Sequence, residues 1–114
     1  MEEKKIYDQR QYRLILKKID FFLNDQISMD KVFWDIEDII KFLNYKDKNF
    51  IKNFDNIWLD IDVAIYYLNE GHIKDEKLRV LDRKKIYKLM EKLKKLVESK
   101  IDKNLSEEDV EYKY

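Results

Sequence analysis

The sequence predicts an all-α protein: an antiparallel four-helix bundle over residues 1–103, followed by a disordered acidic tail over residues 104–114. Three observations carry this. The chain has no proline and a single glycine, Gly71, whereas sheet proteins need more turn residues than that. Its apolar residues recur three and four positions apart, the spacing of one helix face. The polar interruptions between these stretches are short. Four stripes that cannot bury themselves alone therefore pack most simply as a bundle of antiparallel neighbours.

The first helix is expected over about Glu3 to Leu23, with Tyr12, Ile15, Leu16, Ile19, Phe22 and Leu23 on one stripe. Asn24-Asp25-Gln26 ends it with residues suited to a turn. Ser28 is placed to cap the second helix, and Asp30 favours the positive end of its dipole. Val32, Phe33, Ile36, Ile40 and Leu43 form that helix's apolar stripe, and the polar stretch from Asn44 to Asn49 follows. The third helix is expected from about Asn49 to Asn69, with Ile51, Phe54, Trp58, Ile61, Ile65 and Leu68 as its seam and Gly71 as its terminator. Residues 72–81 admit two readings: Asp75 caps a short turn holding Leu78, or Asp82 caps the next helix directly. The fourth helix then runs to about Asp102, burying Ile86, Leu89, Met90, Leu93, Leu96, Val97 and Ile101.

At 114 residues the chain is one domain in size. Charged residues make up 42 %, but an apolar 45 % with helical periodicity argues against disorder. Without cysteine, neither a disulfide nor a thiolate metal site supports the fold. Met1-Glu2-Glu3-Lys4-Lys5 leads into a mixed stretch rather than an apolar signal core. No apolar run nears the roughly 20 residues that span a bilayer. The expected location is the cytoplasm.

Net charge is zero, yet it is unevenly distributed. Residues 28–72 carry nine acidic and five basic residues, residues 73–103 six acidic and twelve basic, and residues 104–114 four acidic and one basic. The middle of the chain is acidic, the last helix basic and the tail acidic, which bears on partners rather than on fold.

Catalytic constellations are missing from the pattern. Ser28 and Ser106 sit where helix caps sit, and Ser99 reads as a surface residue. His72 is the only histidine, expected as a solvated loop residue beside Gly71. A lone histidine without cysteine argues against zinc. No Glu-x-x-His appears for a bundle di-metal site, and no glycine-rich phosphate loop is present. The expectation is a binding protein with no catalytic residues, metal or cofactor.

The outward faces of the second and third helices combine aromatics with acids. Asp30, Trp34, Glu37, Asp38 and Lys41 share a face opposite the Phe33–Ile36–Ile40 stripe, with Asp35 alongside. On the third helix Asp55, Asp62 and Tyr66 line up at i, i+7 and i+11, with Asp60 and Tyr67 nearby. An aromatic supplies buried area, and acids supply steering and pairing with Lys or Arg. Against this stands the plain alternative that Trp34 tucks against a neighbouring helix and the acids only keep the surface solvated. Arg83, Lys84, Lys85, Lys88, Lys92, Lys94 and Lys95 on the last helix suit a phosphate backbone, but Glu91 and Glu98 interrupt them.

Phe22-Leu23-Asn24-Asp25-Gln26-Ile27-Ser28 resembles the junction of an apolar helix, a short polar turn and Ile-Ser/Thr found in colicin D-type immunity proteins. Asp75-Glu76-Lys77-Leu78-Arg79 is similar to that family's acidic segment leading to Leu-Arg. The resemblance extends from about Leu14 to Ile101. It implies a four-helix bundle that neutralises a nuclease toxin domain, typically one that cuts tRNA, by presenting carboxylates to a basic active site. On this chain it implies a partner surface made of Trp34, Asp35, Glu37, Asp38, Asp55, Asp60, Asp62, Tyr66, Tyr67, Asp75 and Glu76. These inhibitors tend to be acidic overall, whereas this chain is neutral with a basic last helix. Three other readings remain open: a nucleic-acid-binding module using the last helix, an immunity protein against a membrane-active peptide bacteriocin, and a homodimer formed through Trp34.

Overall fold

The computed structural model describes residues 3–69 and 76–106, with side chains throughout except at 69 and 76–82. The structure is all-α. Its helices are α1 (Glu3–Leu23), α2 (Met29–Lys41), α3 (Lys48–Asn69) and α4 (Glu76–Glu98), and no strand occurs among the described residues.

Two compact units make up the fold. The described residues up to Asp47 and those from Val97 onward form one, and Lys48–Leu96 forms the other. In the first unit α1 packs against α2. Lys18 meets Asp35 and Asp8 meets Asn44, so the pair is an antiparallel hairpin. Its turn explains how α1 ends. Asp25 adopts a left-handed φ of 59°, a conformation that Asp tolerates better than most residues. The Asp25 N–H donates to Phe22 O at 2.9 Å and the Gln26 N–H to Phe21 O at 2.7 Å, which is a Schellman closure without glycine. Ser28 then caps α2 as expected, its side chain accepting from the Lys31 N–H at 3.1 Å.

Tyr12, Ile15, Ile19, Phe22, Val32, Phe33, Ile36 and Leu43 are buried in this unit. Leu16, Leu23 and Ile40 are only half-buried at the edges of their stripes. In the second unit the buried face of α3 is Phe50, Phe54, Ile57, Trp58, Ile61, Ala64, Ile65 and Leu68. Phe50, Phe54 and Trp58 follow one turn apart: the Phe50 and Phe54 rings are tilted with centroids 6.0 Å apart, and Phe54 and Trp58 stack at 5.4 Å. Phe50, four residues before Phe54 on the same face, takes the place expected for Ile51, which is half-buried. Ile86, Met90 and Leu93 of α4 are buried.

Both ends of α4 differ from the sequence expectation. Asp82 does not begin the last helix but lies six residues inside it. The helix also stops at Glu98, short of Asp102. The Lys100 N–H donates to Val97 O and the Ile101 N–H to Glu98 O, bonds that tighten the chain out of the α pattern. Gln9 competes for the same backbone: its Nε2 donates to Lys100 O at 2.7 Å and its Oε1 accepts from the Asp102 N–H at 2.8 Å. Arg13 donates to Asp102 O and Leu105 O, so Asn104–Ser106 continue as a segment held against α1. Gly71, His72 and Asp75, and the tail from 107 onward, lie outside the described residues.

Candidate functional site

α3 positions the richest surface. With its apolar stripe buried on one side, helical geometry turns Leu59, Val63 and Tyr66, at i, i+4 and i+7, to the opposite side. They span about 10 Å of helix. All three are exposed, Leu59 at 61 % and Tyr66 at 53 %. Tyr67 is exposed beside them, its ring edge-on to that of Tyr66 at 5.6 Å. Asp55 and Asp62 flank this apolar strip on one side and Asp60 on the other, all three exposed. Among the described residues no cation pairs with them. Scattered exposed apolar residues are ordinary. Here four large ones, Leu59, Val63, Tyr66 and Tyr67, lie on one side of a single helix, edged by these carboxylates.

The residues expected from sequence divide between two surfaces. Asp55, Asp60, Asp62, Tyr66 and Tyr67 belong to the α3 face of the second unit. Trp34, Glu37 and Asp38 belong to α2 in the first. Trp34 is not tucked away. It is 61 % exposed, its ring edge-on to that of Phe33 at 5.6 Å, and Phe42 and Tyr45 are exposed just beyond the helix. Glu37 is half-buried and Asp38 exposed. Asp75 lies outside the described residues, as does the side chain of Glu76, which opens α4.

Asp35 has an internal role instead. Its side chain is 19 % exposed and pairs with Lys18 on α1 at 3.1 Å and with Lys31 one turn earlier at 2.9 Å. Burial alone raises the pKa of this carboxyl, but the two lysines outweigh it and hold the group below its ordinary value. Because the folded-state value is the depressed one, the pairing stabilises the fold above the unfolded pKa and is lost as pH falls through the folded one. The stability difference between wild type and Asp35→Asn, followed by urea denaturation, is expected to stay constant from neutrality down to about pH 5 and shrink below it. A difference that grows on acidification would show that the pairs do not hold Asp35 charged.

Sequence reasoning did not single out Leu59 and Val63. The signal was available, since they continue Asp55 at i+4 and i+8, opposite the buried seam. Asp8 also went unmarked. It sits one turn before Tyr12 on the buried stripe of α1 and is 4 % exposed. Its Oδ1 accepts from the Asn44 N–H at 2.8 Å and from Asn44 Nδ2 at 3.2 Å, and its Oδ2 accepts from the Tyr45 N–H at 2.8 Å. One carboxylate thereby ties the chain after α2 to α1.

The outer face of α4 exposes Arg83, Lys84, Lys85, Lys88, Lys92 and Lys95, while Lys94 is half-buried. Glu91 and Glu98 are exposed in the same helix. Among the described residues no cluster of three His, Cys, Asp or Glu side chains is arranged to hold a metal, and no helix is long and apolar enough to cross a membrane. No protein-family model matches the chain, and no match was found among curated proteins or solved structures.

Proposed function

We propose that this protein is a cytoplasmic immunity-type inhibitor. It acts by binding rather than by catalysis and neutralises a nuclease toxin domain, one that cuts tRNA. The observation that carries the proposal is the α3 face, with Leu59, Val63 and Tyr66 exposed in line and Asp55, Asp60 and Asp62 at their edges. A nuclease holds a polyanion, so its active site is cationic. Unpaired carboxylates attract such a site over several ångströms, and the apolar strip then supplies short-range area that a merely acidic surface lacks. The resemblance to colicin D-type immunity proteins at Phe22–Ser28 and Asp75–Arg79 supports the same reading. Zero net charge is no obstacle, because steering depends on the local field of the face that meets the partner.

Reversing Asp55 and Asp62 together to lysine tests the steering. With the partner captured by the wild-type protein, the association rate at low salt is expected to fall about tenfold or more, with the gap narrowing as salt is added and thermal stability unchanged. An unchanged association rate, with cells still protected, would remove α3 from the interface. The exposed basic row of α4 supports a second reading, a nucleic-acid-binding module. That reading requires RNA or DNA affinity that falls steeply with salt, and absence of binding at low ionic strength eliminates it.

A further inference from the structure

The first unit also holds a cleft. It has a volume of about 650 Å³ and is lined by α1, by residues 44–47 and by the segment after α4, a size common for small-molecule sites. Its walls are fixed. Asp8 ties residues 44 and 45 to α1, Gln9 and Arg13 tie residues 100–105 to the same helix, and Lys100 joins the two walls through Asp47 at 3.3 Å.

The charges around it are unequally occupied. Three carboxylates line the cleft, and each is engaged: Asp8 by three N–H groups, Asp47 by Lys100, and Asp102 by the Asn104 N–H at 2.9 Å. Of the three lining ammonium groups, only Lys100 has a carboxylate partner among the described residues. Lys5 and Lys46 are exposed at the cleft without one. Ile6, Tyr12 and Leu105 add apolar lining. Burial, with Asp8 and Asp47 close by, pushes the Tyr12 phenol up to about 12, so it meets a ligand as a neutral group.

We infer that this cleft binds a small amphiphilic anion, a carboxylate or phosphate monoester on an aromatic body, with its charge at Lys5 and Lys46 and its ring against Tyr12, Ile6 and Leu105. Asp47 competes with such a ligand for Lys100.

The test is an NMR titration of the ¹⁵N-labelled full chain at low salt with phenyl phosphate and with phenylacetate, using 2-phenylethanol and inorganic phosphate as controls. The expected result is saturable shifts at Gln9, Tyr12, Asn44, Tyr45 and Asp47 with at least one aromatic anion, and little response to either control. The tighter of the two anions tells a phosphate ligand from a carboxylate one. Lys5→Ala with Lys46→Ala, both at exposed positions, should weaken binding roughly fivefold. Asp47→Asn should tighten it, an effect that damage to the fold would not produce. The inference is overturned if 2-phenylethanol or inorganic phosphate moves these amides as strongly as the aromatic anions. It is overturned equally if neither anion gives saturable shifts, or if both the lysine pair and Asp47→Asn leave affinity unchanged.

Discussion

Truncating Leu59 and Tyr66 together to alanine is expected to weaken binding of the protein partner by about 3 kcal/mol or more, over a hundredfold in Kd. Both side chains are more than half exposed in the free protein, so little is lost from the fold. Alanine is also a strong helix former. The cost falls on the complex, where Tyr66 supplies the aromatic anchor and Leu59 the apolar area packed beside it, while the surrounding acids contribute mainly to rate. The two kinds of variant should therefore separate in surface plasmon resonance. Leu59→Ala with Tyr66→Ala raises the dissociation rate, whereas the Asp55 and Asp62 reversals lower the association rate. A double alanine variant that dissociates like wild type would show that the strip lies outside the interface.

The largest effect on stability is expected at Asp8. Asp8→Ala removes three hydrogen bonds to a buried carboxylate and leaves the backbone N–H groups of Asn44 and Tyr45 without their acceptor. Hydrogen bonds to charged groups contribute about 1.5–3 kcal/mol each, and an orphaned buried donor costs about 1–3 kcal/mol. Water reaches part of this site, so a net loss of about 3–4 kcal/mol is the expected outcome in urea denaturation. Asp8→Asn keeps one acceptor but turns an amide N–H₂ toward a donor, and should cost nearly as much. A loss below about 1 kcal/mol for both variants would mean that the chain after α2 is held by other contacts.

These residues also show where the sequence was legible. α1 has the boundaries its stripe and turn predict, α2 starts at its Ser28 cap but ends two residues before Leu43, and α3 begins one residue earlier than expected. Their ends are written locally, in Ser28 as a cap and in the polar turn Asn24–Gln26. The last helix was ambiguous because Asp75 and Asp82 are equally good caps by local rule, with no proline or glycine between them. Its end was misplaced because the residue that captures the backbone beyond it, Gln9, lies 91 positions away. Position 8 carried no signal of its own, since an aspartate on an apolar stripe gains meaning only when the loop it holds is in place. Trp34 could be placed on the outer face but not assigned an exposure from spacing alone. Asp35 stood alongside the acidic face by spacing, and Lys18 on the neighbouring helix pairs with it there. The acids of α3 were readable as a row. The apolar strip between them is weaker in the sequence than the buried seam, because Leu59, Val63 and Tyr66 form only one short period of i, i+4 and i+7 on the other side.

The most direct test of the central claim is affinity capture from native lysate, before and after nuclease treatment, using wild-type protein and the Leu59→Ala/Tyr66→Ala variant as parallel baits. The account predicts one stoichiometric protein that survives nuclease treatment on the wild-type bait, is missing from the variant, and cleaves tRNA when released. Equal capture of that protein by both baits, or recovery of RNA and RNA-dependent proteins alone, would contradict it.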